Sequence, residues 1–141
     1  NIGIAIDTPD GLIVPNIKNV DSKSIFQISN EVNELASLAK TRKLKVEQLK
    51  GATFTISSLS GIGGKYFTPI INPPEVGILG LSKTYDSLSM IDKNIITLKQ
   101  LPISLSYDHR VINGAYAAKF IVELGNQLKQ IDLFIRTFKE S

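Results

Sequence analysis

Sustained helical periodicity occurs in two stretches of this chain. The residues between them follow the patterns of strands and turns, apart from one short helical turn that we expect around residues 46–50, ended by Gly51. Apolar residues recur three or four positions apart from Ile25 to Ala39, and again from Ala117 to Ile131. That spacing places them on one face of a helix. The predicted order is β-β-α-β-β-β-β-α, with no repeated strand–helix–strand unit. We therefore expect an α+β fold, a mixed β-sheet with its helices packed on one face.

Alternating or continuous apolar runs bounded by turn residues predict the strands. The turn between the first two contains Asp10-Gly11, and Pro15 favours a sheet edge or a bulge because proline has no N–H to donate. A second turn is predicted at Asp92-Lys93-Asn94, and Asp21, Ser22 or Ser24 could cap the first helix. The predicted strands cover residues 1–6, 12–17, 53–57 and 76–81, one segment before the turn at 92–94, and one from Ile95 to about Tyr107.

The composition fits one globular domain and limits its partners. The chain has 141 residues, of which 43% are hydrophobic, and a formal charge of +3 without a block of like charges. The densest basic patch, around Lys40 to Lys45, is typical of a solvated helix end, so no nucleic-acid partner is expected. No run approaches the ~20 apolar residues of a membrane span, so no membrane partner is expected. The absence of cysteine excludes disulfides, thiolate metal sites and a cysteine nucleophile, and fits a reducing compartment.

His109 is the only histidine, and it stands between a strand-like run and the second helical stripe. Imidazole has a pKa near neutrality, which makes His109 a candidate general base. The alternative is a structural or merely exposed histidine. Asp108 and Arg110 flank it, and we expect them to orient the backbone or to form an ion pair rather than to act in catalysis.

Two further polar residues are candidates for the same site. Ser57 ends a predicted strand before a glycine-rich stretch, where its hydroxyl could donate to an oxyanion or could simply belong to a surface turn. No G-x-S-x-G elbow surrounds it, so a hydrolase nucleophile has little support. Gly61 to Gly64 lack the spacing of a phosphate-binding loop. Asn113 precedes the last helix, where it is either an N-cap or a functional residue.

Several ordered motifs together resemble the catalytic domain of the dihydrolipoamide acyltransferases, the E2 core components of 2-oxo acid dehydrogenase complexes. The resemblance covers essentially the whole chain. Within the family, the segments around Ser57 and before Asp108 are most similar to the acetyltransferases of pyruvate dehydrogenase complexes. The motifs are Asp-Thr-Pro-Asp-Gly-Leu at 7–12, Phe-Thr-Ile-Ser at 54–57, Pro-Ile-Ile-Asn-Pro-Pro-Glu at 69–75, Leu-Pro-Ile-Ser-Leu-Ser-Tyr at 101–107 and D-H-R-x-x-[DN]-G at 108–114.

The resemblance implies a fold similar to chloramphenicol acetyltransferase and transfer of an acetyl group between the dihydrolipoyl thiol and CoA. It implies that His109 is the general base and that Ser57, from a neighbouring subunit, donates to the oxyanion. Asn113 matches a position where many members carry aspartate, and it would orient the histidine. An asparagine can hydrogen-bond there but cannot form an ion pair.

The same resemblance implies a homotrimer that assembles into a larger core particle. Its lipoyl group would be carried on a separate lipoyl domain, and the E1 and E3 components would bind through domains absent from this chain. Residues 1–141 would form the C-terminal portion of the catalytic domain. The bacterial cytoplasm is favoured over the mitochondrial matrix. The apolar tail would join trimers or pack on its own domain; it consists of Ile131, Leu133, Phe134, Ile135 and Phe138.

Two other functions remain open at this point. The chain could be a catalytically silent scaffold fragment of a 2-oxo acid dehydrogenase complex. It could also be a free small-molecule acetyltransferase related to the chloramphenicol enzymes. The latter has less support, because those enzymes typically carry His-His where this chain has Asp108-His109.

Overall fold

Nine strands and two long helices make up residues 1–130, the part of the chain that the computed structural model describes. The helices are α1 (Ile25–Lys40) and α2 (Gly114–Lys129), and two short 3-10 helices cover Val20–Ser22 and Val46–Gln48. The strands are β1 (Ile2–Ile4), β2 (Ile6–Thr8), β3 (Gly11–Ile13), β4 (Asn16–Ile17), β5 (Phe54–Ser58), β6 (Gly77–Leu81), β7 (Tyr85–Ile91), β8 (Asn94–Gln100) and β9 (Ile103–Tyr107).

A five-stranded mixed sheet with the strand order β4-β1-β5-β6-β9 forms the centre of the fold. Strands β1, β5 and β6 run parallel, whereas β4 and β9 pair antiparallel at the two edges. Two hairpins, β2–β3 and β7–β8, form separate two-stranded sheets. The predicted mixed sheet is confirmed.

Both helices pack on the same face of this sheet. Ile2 pairs with Ile17 on one side and with Phe54 on the other, so these three side chains point to one face. Ile17 is 1% exposed and belongs to the core cluster with Leu35 and Ala39 of α1. Phe54 contacts Phe120 of α2, with ring centroids 5.9 Å apart. The opposite face carries Thr55 and Ser57 of β5, since successive residues of a strand alternate, together with their register partners Ile78 and Gly80.

Local signals placed the helix starts and the turns correctly. Ser24 caps α1 and forms a capping box with Gln27. The turn between β7 and β8 has positive φ at Asp92 and Lys93, as a two-residue hairpin loop requires. The helix predicted to reach Ile131 ends at Lys129 within the described residues, and Ile131 and the apolar tail after it lie outside them.

Three predicted strands are each broken in two, so this part of the prediction was wrong. The strand over 1–6 divides at Ala5, where the chain leaves the main sheet to form β2. The strand over 12–17 divides at Pro15, and the one from Ile95 to Tyr107 divides at Pro102. At the two proline breaks, the proline offers only its carbonyl for pairing, because it has no N–H to donate. The Pro15 carbonyl accepts from Ile4 N and the Pro102 carbonyl from Ser82 N.

A glycine in β6 gives a direct test of the packing on the face of the sheet that carries Ser57. A Cβ at Gly80 would lie 2.8 Å from Cζ of Phe67 and 3.2 Å from Cδ of Pro69. We expect Gly80→Ala to lower the free energy of unfolding by about 1–3 kcal/mol, because the added methyl overpacks this contact. Urea denaturation measures the change. As the control, Gly125→Ala in α2 meets nothing within 4 Å and should be neutral or stabilising; equal losses in both variants would contradict the expectation.

Candidate active site

His109 lies in a tight turn directly after β9. The carbonyl of Asp108 accepts from Val111 N at 3.0 Å and from Ile112 N at 2.9 Å, which closes the turn. Asp108 N donates to the carbonyl of Val76 at 2.9 Å, which ties the turn to the residue before β6. His109 itself is exposed. Its backbone is therefore fixed while its imidazole faces solvent in the single chain.

An ion pair between two side chains of this turn, Asp108 and Arg110, stabilises it, as predicted. The Asp108 carboxylate accepts from Arg110 N at 2.9 Å and from the Arg110 guanidinium Nη2 at 2.6 Å. These side-chain and backbone hydrogen bonds from Arg110 lower the pKa of Asp108 to about 2 and raise the pKa of Arg110. Both groups carry full charge at neutral pH and hold each other, so neither is available as an acid or base.

Removing this partner should change the acid titration of the turn. We expect Arg110→Gln to raise the pKa of Asp108 from about 2 toward its ordinary value of 3.8. A lowered native pKa adds stability above the unfolded pKa and loses it as the pH falls, so the variant should lose less stability than the parent between about pH 4 and about pH 2. Carboxyl-detected NMR titration and urea denaturation measure the two effects.

The matched control for this change lies on the β7–β8 hairpin. Lys99 pairs with Asp86 at 3.0 Å on exposed side chains. Lys99→Gln removes the same kind of charge and should leave the Asp108 titration unchanged. An Asp108 pKa that stays near 2 in Arg110→Gln would contradict the assigned cause.

Ser57 lies near the carboxyl end of β5, on the face of the sheet opposite to the helices. It is half-buried and pairs with Gly80 of β6 in the parallel register. Within residues 1–130 its hydroxyl makes no hydrogen bond, whereas the hydroxyl of its neighbour Ser58 is 2.9 Å from Ser60 Oγ. The Ser57 hydroxyl is thus free to donate to a ligand above this face.

The sheet keeps Ser57 and His109 apart within one chain. Gly80, the partner of Ser57, pairs in turn with Ser104 of β9, and His109 follows Ser104 by five residues. Because β9 runs antiparallel to β6, those residues lead away from Ser57 toward the opposite end of the strands. At about 3.3 Å per residue the two side chains are separated by roughly 15 Å or more. No single pocket of one chain can hold both.

Asn113 is the N-cap of α2. Its side-chain oxygen accepts from Tyr116 N at 2.8 Å. The capping role predicted as one of its two interpretations is confirmed. Among the described residues, Asn113 makes no hydrogen bond to His109.

Tyr107 is a neighbour of the histidine that the sequence analysis did not predict. The rings of Tyr107 and His109 lie 5.7 Å apart, centroid to centroid, at an interplanar angle of 38°. Side chains two residues apart in a strand lie on the same face. The spacing of Tyr107 and His109 along the chain could therefore have predicted that their rings are neighbours.

Two other classes of site receive no support from residues 1–130. No helix in this part of the chain is long and apolar enough to cross a membrane. No group of three or more His, Asp or Glu side chains in the same part is arranged to hold a metal ion.

Comparison with protein families identifies the class of domain. The family described as 2-oxoacid dehydrogenases acyltransferase (catalytic domain) matches residues 1–136. The chain belongs to this acyltransferase family. Its α+β architecture is accordingly the chloramphenicol acetyltransferase-like fold shared by the catalytic cores it resembles.

The chain is similar to components of pyruvate dehydrogenase complexes. It is 52% identical over 135 residues to the dihydrolipoyllysine-residue acetyltransferase component of the pyruvate dehydrogenase complex from Buchnera aphidicola. The aligned region covers 96% of this chain and 34% of the relative. The chain spans between a fifth and a third of the length of the curated relatives it matches first.

Two solved structures resemble the chain equally well. One comes from crystallographic and enzymatic work on a serine, a histidine and an asparagine in the catalytic mechanism of the Azotobacter vinelandii dihydrolipoamide acetyltransferase. It has a TM-score of 0.90 and 52% identity, covering 95% of this chain and 55% of that one. The other is the cubic core of the pyruvate dehydrogenase multienzyme complex, with a TM-score of 0.90, 53% identity and the same coverage.

Proposed function

We propose that this chain is an acetyltransferase subunit that moves an acetyl group between the dihydrolipoyl thiol and CoA, with His109, Ser57 and Asn113 as its site residues. One observation carries the assignment. The serine, histidine and asparagine studied in the Azotobacter enzyme are separated along its chain by the same numbers of residues as these three are here. At 52% identity, this spacing supports the same three positions in both proteins.

His109 acts as the general base in this proposal. A free thiol has a pKa near ~8.5 and is mostly protonated at neutral pH. The imidazole takes the proton of the incoming thiol, and the thiolate sulfur attacks the thioester carbonyl carbon. A tetrahedral intermediate forms, its carbon–sulfur bond to the leaving thiol breaks, and the departing sulfur recovers the proton from the imidazolium. One thioester and one thiol enter, and one of each leaves.

Ser57 stabilises the intermediate. The carbonyl oxygen becomes negatively charged as the carbon turns tetrahedral, and a fixed hydroxyl donor lowers the energy of that state more than the energy of the substrate. The free hydroxyl of Ser57, half-buried beside Gly80, suits this role. Asn113 contributes in two ways: its oxygen holds the start of α2, and its amide nitrogen is left to orient the imidazole or a substrate.

The strands keep the two catalytic groups of one chain roughly 15 Å or more apart, which supports a site built from two chains. His109 of one subunit meets Ser57 of its neighbour, which is the arrangement of a homotrimer with a site at each of three interfaces. Trimers then build a larger particle, a proposal supported by the similarity to a cubic core. The lipoyl domain presents the dihydrolipoyl substrate, and the E1 and E3 components join the complex through other domains. The bacterial sources of the relatives support the bacterial cytoplasm as the compartment.

Mixing two inactive variants tests this proposal. We co-express Ser57→Ala and His109→Ala chains with different tags, purify assemblies that carry both tags and measure acetyl transfer from acetyl-CoA to dihydrolipoamide. In a shared site, the intact His109 of one variant faces the intact Ser57 of the other in about a quarter of randomly mixed interfaces. Because selection for both tags removes assemblies of a single variant, we expect activity of about a quarter of wild type in large particles and about a third in single trimers. Mixed assemblies as inactive as either parent would refute the shared site.

A further inference from the structure

The ring of Tyr107 is held in place from several directions. Tyr107 is the last residue of β9, and its backbone pairs with Gly77 of β6. Its side chain lies on the helix face of the sheet and lines an apolar cavity of about 220 Å³ together with Phe54 and Phe120. A Cβ at Gly114 would lie 3.5 Å from the Tyr107 hydroxyl oxygen, so the ring reaches the first residue of α2. The half-buried ring is therefore a fixed surface, not a freely rotating one.

Among the described residues, the Tyr107 ring is the aromatic neighbour of the His109 imidazole. The 5.7 Å between the ring centroids is within the range of interacting aromatic pairs. Within residues 1–130 the imidazole makes no hydrogen bond and belongs to no ion pair, and the flanking Asp108 and Arg110 are occupied with each other. The turn fixes where the His109 Cα lies, but a turn does not select a side-chain rotamer.

We infer that Tyr107 is a positioning residue that holds the His109 imidazole in the orientation from which it removes the thiol proton; this inference rests on the proposed function. Contact with a fixed ring restricts the side-chain rotations of His109. Small displacements of a catalytic group lower the rate of the chemical step without weakening substrate binding. The aromatic ring carries this effect, not its hydroxyl.

The inference predicts a difference between two substitutions at one position. Tyr107→Phe keeps the ring and should leave kcat within about twofold of wild type, whereas Tyr107→Met fills the space without a ring and should lower kcat roughly tenfold to a hundredfold with KM unchanged. Tyr116→Met is the matched control, since Tyr116 lines the same cavity and is 67% exposed. It should behave as wild type.

A spectroscopic readout separates this role from a purely structural one. Because the chain has a single histidine, selectively labelled histidine gives one imidazole signal. We expect this signal to carry the ring-current shift of Tyr107, to keep it in Tyr107→Phe and to lose it in Tyr107→Met. A nuclear Overhauser effect between the Tyr107 and His109 rings in the wild-type protein tests the contact even if Tyr107→Met does not fold.

The outcomes are distinguishable from those for the proposed function. An absent Overhauser effect, an imidazole signal that does not move in Tyr107→Met, or an unchanged kcat in a folded Tyr107→Met would each overturn the role of Tyr107. If the rings are in contact but His109→Ala retains full turnover, the proposed function fails instead. If His109→Ala is inactive while Tyr107→Met turns over normally, the positioning role alone fails.

Discussion

Acetyl transfer is expected to fall about a hundredfold to ten-thousandfold in kcat when His109 is replaced with alanine, because the incoming thiol loses its general base. His109 is the only histidine of the chain, so no other imidazole can take its place. KM should change little, since the base acts on the reacting proton and not on the bulk of the substrate. The measurement is steady-state transfer of acetyl from acetyl-CoA to dihydrolipoamide.

The control for this variant comes from the same turn. Val111 is 67% exposed and its backbone closes the turn, so Val111→Ala removes a side chain while keeping the turn hydrogen bond. It should retain wild-type turnover. Raising the pH should partly restore His109→Ala, because more of the thiol ionises without help as the pH approaches ~8.5. Turnover in His109→Ala equal to that of Val111→Ala would rule out the general-base role.

The second large effect is expected at Ser57. Loss of one oxyanion donor commonly lowers kcat by about a hundredfold to a thousandfold, and we expect Ser57→Ala to fall in this range. The loss should persist at high pH, because the missing group stabilises the intermediate and does not ionise the thiol. The different pH responses of Ser57→Ala and His109→Ala assign each residue to its own step.

The neighbouring serine is the matched control for Ser57. Ser58→Ala removes the same hydroxyl one residue later, from a side chain that points to the other face of β5 and contacts Ser60. We expect it to retain wild-type activity and stability. Equal losses in the two variants would mean that the end of β5, and not the Ser57 hydroxyl, is what the reaction needs.

The sequence predicted the local parts of this fold and missed the non-local ones. Capping chemistry limited the start of α1 to Asp21, Ser22 or Ser24, and residue periodicity found both helices, because these signals lie within a few residues of what they determine. The breaks at Ala5 and Pro102 depend on which strand lies alongside. A proline signals that a ladder is interrupted, but the pairing of the strands on either side is decided by residues far away in the chain.

The site divides in the same way. The ion pair of Asp108 and Arg110 is local, because these are the residues directly before and after His109, and the sequence predicted it. The separation of Ser57 from His109 follows from the register of β5, β6 and β9. The periodicity of the sequence does not predict how strands pair. Only the resemblance to a family indicated that these residues act from different subunits.

Because Ser57 and His109 lie toward opposite ends of the strands, the proposed shared site makes assembly itself a condition of catalysis. With His109 and Ser57 acting together as proposed, a newly made chain carries two half-sites and no whole one. It can neither consume acetyl-CoA nor strip acetyl groups from lipoyl domains before it has joined its partners. In the proposed site, activity therefore requires correct association of the subunits, and a misassembled subunit is inactive.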